Sequence, residues 1–477
     1  MNNNISDVLQ EFLNFSAVPR RSDHYFKAIE YVCDWAQKHG LEYIFDDVND
    51  NVIIRKAASK GKEDRPGVVL QGHLDMVAQK DPDIDHDFDK EGINILFDGD
   101  FIHAQGTTLG ADDGSAVAIA LAILADDSIA NPPLEALFTT NEEVGMDSVK
   151  NADLSILNGK YLINIDNGEE GLFTIGCCGG HTIRSSVSNI RSKAEGTAVK
   201  ISISGLKGGH SGIEIGSLRA NALKILGEVL YNIEKECSFR ISYIDAEGRD
   251  NVISKYADCV IIADPDSIDK IADLVDRCST EYKKKYRITD PDINISLSGL
   301  SAADALSEQS SRALTFLLHQ LPYGVLYREQ GSNDAVETSA NLGFIDEDDS
   351  SIGIVASIRS SVPERIDEIL GRIRQLCSVV AADCADDGKD YPPWIADYNS
   401  PLIDLFSNVY MDMYNKKPVV APVHAGLECG YILRNSNLEA AISIGPDIYG
   451  EHTSEEKMSV SSLNRVYDFV KKVLETV

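Results

Sequence analysis

The sequence predicts an α/β fold in which helices cover a mostly parallel sheet, with an α+β domain inserted into the chain. Helix and strand patterns alternate from residue 5 to about residue 180. The middle of the chain contains two similar stretches, and the alternation resumes after the Pro-rich YPPW at 391–394. Because 477 residues exceed what one core usually serves, more than one domain is expected.

The first elements follow from hydrophobic periodicity. Amphipathic patterns predict helices over residues 5–15 and 23–39, and Gly40 is predicted to end the second helix. A stretch rich in Ala, Ile and Leu predicts a helix at Ser115–Ala125. Short apolar runs predict strands at Val52–Ile54, Val68–Leu70, Leu134–Thr139 and Tyr161–Ile165. In a parallel sheet of this kind, ligands bind beyond the carboxyl ends of the strands.

An internal similarity predicts the inserted domain. Ser204-Gly205-Leu206 recurs as Ser298-Gly299-Leu300, and Arg219-Ala220 recurs as Arg312-Ala313. Each copy reads as a strand, a loop and a long amphipathic helix, which indicates a degenerate duplication, although chance similarity between two αβ units is the alternative. We therefore expect an inserted lid domain at 185–393, with halves at about 195–290 and 291–393.

The chain then returns to its first domain. A helix at Leu402–Tyr414, a strand near Ala440–Ile444 and a last helix from Ser461 continue the α/β pattern. The first domain is therefore predicted to be discontinuous, comprising residues 1–184 and 394–477.

Composition excludes several classes of partner. A formal charge of -32 and a pI near 4.6 argue against nucleic acid or an anionic membrane surface. The amino terminus does not resemble a signal peptide, and no apolar run approaches the ~20 residues of a membrane span. Nine cysteines without a CxxC pair favour a reducing, cytoplasmic location.

Histidines and acids stand at the ends of several predicted apolar segments: His73, Asp112, the pair Glu142-Glu143, Asp166 and His452. Any one alone is more often a helix cap, a loop residue or a satisfied structural histidine. Together, their nitrogen and oxygen atoms suit Zn²⁺, with Mn²⁺ or Co²⁺ as less favoured occupants. They are too many for a single four-coordinate site, but they fit two metals about 3.5–4 Å apart if one carboxylate bridges them.

Five ordered motifs carry a family resemblance: HLDMV, LGADDG, NEEVG, the Asp of NIDNG, and GEHTSEE. They resemble the motif set of the di-zinc carnosinase and aminoacylase metallopeptidases, and the similarity spans the whole chain. SGLKGGHSG and HAGLECG resemble the dipeptidase subgroup specifically. The resemblance implies a zinc-peptidase-like catalytic domain and two Zn²⁺ per chain.

The resemblance also implies roles for these residues. His73 and Asp166 would bind one zinc, Glu143 and His452 the other, and Asp112 would bridge them. Asp75 would orient His73, a role that suits an acid beside a metal-binding imidazole. Glu142 would be the general base. Relatives often carry Asn where this chain has Asp113, and a carboxylate pointing inward there would make the site more negative.

The resemblance also implies that further residues of this chain contact the substrate. His210, in KGGHSG, would stabilise the oxyanion of the tetrahedral intermediate. The alternative interpretation is that His210 is a histidine in a surface turn. Asn251 and Arg359 would hold the substrate carboxylate, since an Arg fork suits bidentate pairing; a solvated strand end is the alternative for Arg359. Glu428 would receive the substrate ammonium group with support from His424, or it would only order a loop.

The expected activity is hydrolysis of dipeptides with a free amino terminus, with broad specificity that includes Xaa-His substrates. A di-zinc deacylase or carboxypeptidase is the alternative within the same chemistry. An inert zinc-binding scaffold is the alternative of another class, and the presence of Glu142 weighs against it. The expected partner is a small peptide, and the protein itself is expected to be a monomer or a homodimer.

Overall fold

The computed structural model describes residues 5–246, 248–330 and 335–477. Two compact units divide the chain. The first unit takes the chain up to Cys177, then Trp394–Val423 and Leu427–Val477, and the second takes Cys178–Pro393 and His424–Gly426. The sequence predicts domain limits at 184 and 393. These limits refer to domains that fold as units, whereas the bounds above describe compactness, so the limits stay a prediction.

The amino-terminal part of the first unit alternates helices with strands. Its helices are α1 (Asp7–Ser16), α2 (Phe26–Lys38), α3 (Ala111–Ala125) and α4 (Asp147–Lys150). Its strands are β1 (Glu42–Asp46), β2 (Asn51–Lys56), β3 (Val68–His73), β4 (Ile95–Asp98), β5 (Phe101–Ala104), β6 (Leu134–Thr139), β7 (Tyr161–Asn164) and β8 (Leu172–Cys177).

The second unit is built mainly of antiparallel strands with helices. Its helices are α5 (Ala222–Glu234), α6 (Ile268–Lys285), α7 (Glu308–Gln320) and α8 (Pro363–Val379). Its strands are β9 (Gly179–Ser188), β10 (Arg191–Lys193), β11 (Thr197–Ser204), β12 (Phe239–Asp245), β13 (Ala257–Ala263), β14 (Asn294–Gly299), β15 (Asp304–Leu306), β16 (Gly324–Arg328), β17 (Val336–Glu347), β18 (Ser351–Ser360) and β19 (Asp383–Tyr391).

The carboxyl-terminal part completes the first unit. Its helices are α9 (Pro401–Tyr414), α10 (Cys429–Asn435) and α11 (Val460–Thr476). Its strands are β20 (Val419–Val423), β21 (Ala440–Ser443), β22 (Ile448–Tyr449) and β23 (Lys457–Ser459). The predicted helices and strands of this unit are therefore confirmed, with ends that differ by a few residues.

One large sheet organises the first unit, in the order β1-β2-β6-β3-β7-β21-β8-β20. Its central neighbours β6, β3, β7 and β21 run parallel, as does the edge pair β8 and β20. The pairs β1–β2, β2–β6 and β21–β8 are antiparallel, so the sheet is mixed. The predicted α/β class is confirmed, and the carboxyl ends of β3, β6 and β7 share one rim.

Helix α3 lies in the core of the first unit. Its residues from Ala116 to Leu124 are all buried, which fits a helix that is apolar on every side. Its first turn is interrupted at Asp112 and Asp113, whose backbone angles are not helical, so the continuous helix begins after Asp113, close to the predicted Ser115. The Cβ of Ala116 would lie 2.4 Å from a Cβ added to Gly72, so the start of α3 packs closely on β3.

The second unit has its own core and two main sheets. One sheet has the order β12-β13-β11-β14 and the other β16-β17-β18-β9-β19. Apolar residues of α5 and α7, such as Leu226 and Leu317, belong to one buried cluster with strand residues such as Ile201 and Ile354. The unit is α+β, and its origin by duplication stays a prediction.

Two further expectations concern the whole chain. All nine cysteines are described, and all are free thiols, most of them buried. Within the described ranges, no helix is both long enough and apolar enough to cross a lipid bilayer.

Candidate metal centre

The rim of the large sheet brings the predicted metal-binding residues together. Strand β3 ends at His73, and β7 ends two residues before Asp166. The two strands pair in parallel with Gln71 opposite Asn164, so the chain leaves both strands on the same side. Asp112 enters from the first turn of α3, which packs against β3.

Two groups of candidate ligand atoms share Asp112. One group joins His73, Asp112 and Asp166, the other joins Asp112, Glu143 and His452, and the atoms of each group lie within 4.8 Å of one another. Asp112 Oδ1 lies 3.1 Å from His73 Nε2, and Asp112 Oδ2 lies 3.1 Å from His452 Nε2. Each oxygen of Asp112 therefore faces one histidine, as a bridging carboxylate requires.

The second group is assembled by two irregular segments. Glu143 lies in a 3₁₀ turn, Glu142–Val144, just after β6, and its Oε2 is 3.0 Å from His452 Nε2. His452 has a positive φ of 63° in the segment between β22 and β23. Its side chain is half exposed, whereas that of Glu143 is buried.

Asp75 connects the first histidine to the Glu142 segment. It is fully buried, and its Oδ1 lies 3.5 Å from His73 Nδ1. The same oxygen accepts a hydrogen bond from the Glu142 backbone N–H at 3.1 Å, and Ser22 donates to Oδ2 at 2.7 Å. Asp75 can therefore fix the ring of His73 so that Nε2 faces Asp112, and it also fixes the backbone of Glu142.

The electrostatics of the rim reflect crowded acids. Burial raises the pKa of Asp112, but hydrogen bonds with both histidines outweigh burial and hold it well below its usual value. Burial lowers the pKa of His452, yet Asp112 and Glu143 together raise it to about 11. Burial and the charge of Asp112 raise the pKa values of Asp166 and Glu143. Positive charge is thus strongly favoured here.

The donor set fits two divalent metal ions. Imidazole nitrogen and carboxylate oxygen are ligands that Zn²⁺ takes, and a shared carboxylate suits a pair of ions. One oxygen of Glu143, Oε1, is buried and has no hydrogen-bond partner among the described residues. A buried acceptor without a donor is costly unless a cation is present.

Asp113 does not join either group of candidate ligands within the described ranges. Its Oδ2 accepts a hydrogen bond from the His73 N–H at 3.2 Å, and its Oδ1 accepts one from the Ala116 N–H at 3.3 Å. Burial, together with the charge of Asp166, raises its pKa well above the usual value. The carboxyl group therefore holds α3 against β3.

Sequence reasoning missed two buried residues that hold the Asp112 segment. Glu456 accepts hydrogen bonds from the N–H groups of Leu109, Gly110 and Ala111 at 2.7, 2.9 and 2.8 Å. Arg20 is also buried and donates to the carbonyls of Leu74, Asp75 and Gly110. Glu456 stands within the noted GEHTSEE region, but no pattern in the sequence distinguishes a buried arginine from an exposed one.

The predicted substrate residues fall in both units. His210, Asn251, Arg359 and His424 belong to the second unit, whereas Glu428 belongs to the first. In the second unit, Ser211 N–H donates to the Asn251 carbonyl at 2.7 Å, which places the His210 segment beside Asn251. A Cβ on Gly212 would lie 2.5 Å from the His424 carbonyl oxygen, so the same segment also touches His424.

Arg359 is buried within the second unit, and most of its neighbours are partly buried. Arg359 donates to the hydroxyl of Tyr391, and His424 Nε2 lies 2.8 Å from Ser339 Oγ. Arg359 Nε and Asn251 Oδ1 are buried and have no hydrogen-bond partner among the described residues. Arg359 is thus not a solvated strand end.

Glu428 is fully buried in the first unit. Its Oε2 accepts hydrogen bonds from Gln71 Nε2 at 2.6 Å and from Thr139 Oγ1 at 2.7 Å. Its Oε1 has no hydrogen-bond partner in the described part of the chain. Burial raises the pKa of Glu428 to about 7.

The fold and these two groups define a class of metal-dependent peptidase. The family model described as Peptidase family M20/M25/M40 matches residues 69–476. The chain belongs to this family.

Within this family, the chain is similar to individual dipeptidases. The chain is 34% identical over 471 residues to the cytosol non-specific dipeptidase of Escherichia coli strain K12, covering 98% of this chain and 96% of that protein. It also resembles the crystal structure of aminoacylhistidine dipeptidase from Vibrio alginolyticus, with a TM-score of 0.85, 30% identity and coverage of 99% and 97%. A Staphylococcus aureus tripeptidase structure shares the fold, with a TM-score of 0.59, 14% identity and coverage of 99% and 98%.

Proposed function

We propose that this chain is a di-metal dipeptidase that hydrolyses dipeptides with a free amino terminus, with broad specificity that includes Xaa-His substrates. The observation that carries the proposal is the pair of ligand groups sharing Asp112, with Glu142 next to the candidate ligand Glu143. The names of the Escherichia coli and Vibrio alginolyticus relatives support the dipeptidase assignment.

Two Zn²⁺ ions are the proposed cofactors, and Co²⁺ or Mn²⁺ would suit the same donors less well. His73 and Asp166 would hold one ion, Glu143 and His452 the other, and Asp112 both. Bound zinc would acidify a water molecule and polarise the scissile carbonyl. This chemistry leaves proton transfer to a separate group of the chain.

Glu142 is the proposed general base. Among the described residues it stands outside both ligand groups, and its backbone N–H is fixed by Asp75. A carboxylate beside the ligands, but not among them, can take a proton from the attacking water. Glu142 would then give this proton to the leaving amine as the peptide bond breaks.

Residues of the second unit are proposed to bind the peptide and the oxyanion. His210 would donate a hydrogen bond to the oxyanion, and Asn251 and Arg359 would hold the carboxylate of the dipeptide. Arg359 Nε and Asn251 Oδ1, which are buried and have no hydrogen-bond partner among the described residues, support a polar ligand at these positions. His424, which the sequence predicts to support Glu428, lies beside the His210 segment of the second unit and is proposed to act with these residues.

Glu428 is proposed to receive the ammonium group of the substrate. Its Oε1 is buried without a partner in the described ranges, while Oε2 is held by Gln71 and Thr139. A cation at Oε1 would compensate the cost of burying the charged carboxylate. This role would explain a requirement for a free amino terminus.

The proposed partner is a small peptide. The net charge of -32 disfavours binding to nucleic acid or to an anionic membrane surface. We propose a cytoplasmic location, supported by the free cysteines and by the cytosol relative. A monomer and a homodimer are both compatible with this function.

The test uses the adjacent pair Glu142 and Glu143. Glu142→Gln should reduce kcat by roughly 10²–10⁴-fold while the zinc content stays at the parental value. Glu143→Gln should lose zinc as well as rate, because it removes a candidate ligand. Glu30→Gln, an exposed position on α2, is the matched control. Zinc is measured by elemental analysis and turnover on a panel of dipeptides.

The panel separates the alternatives. It includes N-acetylated amino acids, N-acetylated dipeptides and longer peptides alongside free dipeptides. Faster release of acyl groups, or of carboxyl-terminal residues from longer peptides, would favour the deacylase or carboxypeptidase alternative. A protein that binds zinc but turns over none of these compounds would be a scaffold. Near-parental turnover by Glu142→Gln would show that Glu142 is not the base.

A further inference from the structure

The imidazole of His210 is held by the backbone that follows it. The N–H groups of Gly212 and Ile213 donate to His210 Nδ1 at 3.3 and 3.2 Å. A Cβ added to Gly212 would lie 2.9 Å from His210 Cε1 and 3.2 Å from His210 Nδ1, so this edge of the ring packs closely against the glycine. In a neutral imidazole, one nitrogen accepts and the other carries the proton. Because Nδ1 accepts here, the proton belongs on Nε2.

Glu214 closes the turn that produces this arrangement. Its backbone N–H donates to the His210 carbonyl at 2.9 Å, and its side-chain Oε2 accepts from the His210 N–H at 3.0 Å. The main chain of His210 is thus bonded to Glu214 at both its donor and its acceptor. These two bonds keep the amides of Gly212 and Ile213 within hydrogen-bond distance of His210 Nδ1.

Arg219 completes the support from the other side. It forms an ion pair with Glu214, and its Nη1 donates to the Gly208 carbonyl at 2.5 Å. A Cβ at residue 209 would lie 1.7 Å from Glu214 Oε2 and 2.5 Å from Arg219 Nη1. Gly209, with φ of 125°, is therefore required for the pair to approach the backbone next to His210.

Asp290 fixes the ends of the segment. Its Oδ1 accepts from the Lys207 N–H and its Oδ2 from the Ala220 N–H, both at 2.9 Å. Asp290 is fully buried, so this connection is protected from water. The segment from Lys207 to Ala220 is thus closed at its base and braced internally by Glu214 and Arg219.

We infer that Glu214, paired with Arg219, is a positioning residue that fixes the His210 imidazole as an Nε2–H donor. The inference deepens the proposed function and rests on it, because an Nε2–H group is what an oxyanion would accept from. A hydrogen bond from a ring that is already oriented costs no reorganisation as charge develops.

The tautomer can be measured on the full-length parent protein, with and without zinc. Ring ¹⁵N labelling of histidine and comparison with the His210→Gln spectrum identifies the His210 signals. The expected result is a pyrrole-type Nε2 and a pyridine-type Nδ1. A pyrrole-type Nδ1 would overturn the inference, and this measurement does not depend on any Glu214 variant folding or on activity.

Kinetics test the positioning role. Glu214→Ala should lower kcat roughly 10- to 100-fold with KM nearly unchanged. In a His210→Ala background, the same change should cost less than about twofold, because it acts through the missing ring. Glu236→Ala, which removes an exposed ion pair with Lys270 in the same unit, is the control. Equal losses from Glu214→Ala in both backgrounds would refute the inference.

Two substitutions of His210 separate this inference from the proposed function. Gln can place an amide N–H near the position of Nε2, whereas Asn places its amide near Nδ1, against the two backbone donors. His210→Gln should therefore retain more kcat than His210→Asn. A His210→Ala enzyme with parental kcat would remove the oxyanion role while leaving the tautomer result standing. A tautomer of the opposite kind would overturn only the inference.

Discussion

Glu456 should be required to hold the backbone before Asp112, the candidate bridging ligand, in its folded conformation. Glu456 is 2% exposed, and its carboxylate accepts hydrogen bonds from three backbone N–H groups within 2.9 Å. In Glu456→Gln, one oxygen becomes an NH₂ group, so either Ala111 or the pair Leu109 and Gly110 loses its acceptor. A buried donor without a partner costs about 1–3 kcal/mol, so the free energy of unfolding should fall by about 2–4 kcal/mol.

The assay can report on the first unit alone. Both tryptophans, Trp35 and Trp394, lie in that unit, so their fluorescence in urea follows its unfolding. Zinc affinity, measured by competition with a chelator, should fall for both ions because Asp112 is displaced. Glu455→Gln, at the exposed neighbouring position, should match the parent. A Glu456→Gln protein with the urea midpoint and zinc affinity of this control would refute the reasoning.

Three further outcomes are expected. Asp112→Ala should lower the occupancy of both metals in elemental analysis, and two tightly held ions per chain would disprove bridging. Glu428→Gln should lower the ratio of kcat/KM for free dipeptides to kcat/KM for N-acetylated dipeptides by roughly 10- to 150-fold, which corresponds to the loss of one hydrogen bond to a charged group. An unchanged ratio would exclude Glu428 as the ammonium site. Burial and the charge of Arg359 lower the pKa of His424 to about 3, whereas an unfolded histidine has a pKa of about 6.5. The unfolded chain therefore binds more protons between these values, so stability should fall as the pH drops from 6.5 towards 3, by at most about 1.4 kcal/mol per pH unit from this residue. His424→Gln should flatten that slope in urea unfolding followed by circular dichroism, and an unaltered slope would contradict the shift.

The sequence predicted the central elements because they are strongly periodic or strongly apolar. The run Val52–Ile54 illustrates the limit of this reasoning. The pattern predicts a strand of a mostly parallel sheet, yet β2 pairs antiparallel with both β1 and β6. A fully buried strand has the same composition in either direction, so hydrophobicity alone could not predict its orientation.

The candidate ligands could be predicted because each one follows an apolar segment within a distinct motif. The groups that support them could not be, because they depend on contacts between distant parts of the chain. Glu456 meets Leu109 across 347 positions, and Arg20 meets Gly110 across 90. Asp113 departs from the family pattern, but the sequence does not indicate whether its carboxyl group faces the candidate metal ligands or the backbone of His73. That depends on the packing of α3 on β3.

A polar layer beneath the candidate ligands connects these observations. Side chains two residues apart on a strand share a face, so Gln71 lies on the same face of β3 as His73. Asn164 is the last residue of β7, two positions before Asp166. Asn164 Nδ2 donates to Gln71 Oε1 at 2.6 Å, Gln71 Nε2 donates to Glu428, and Thr139 Oγ1 donates to the same oxygen. Every donor in this chain of hydrogen bonds points towards Glu428. Although burial raises the pKa of Glu428 to about 7, its neighbours are thus arranged to receive an ionised carboxylate, the form that an ammonium group would bind.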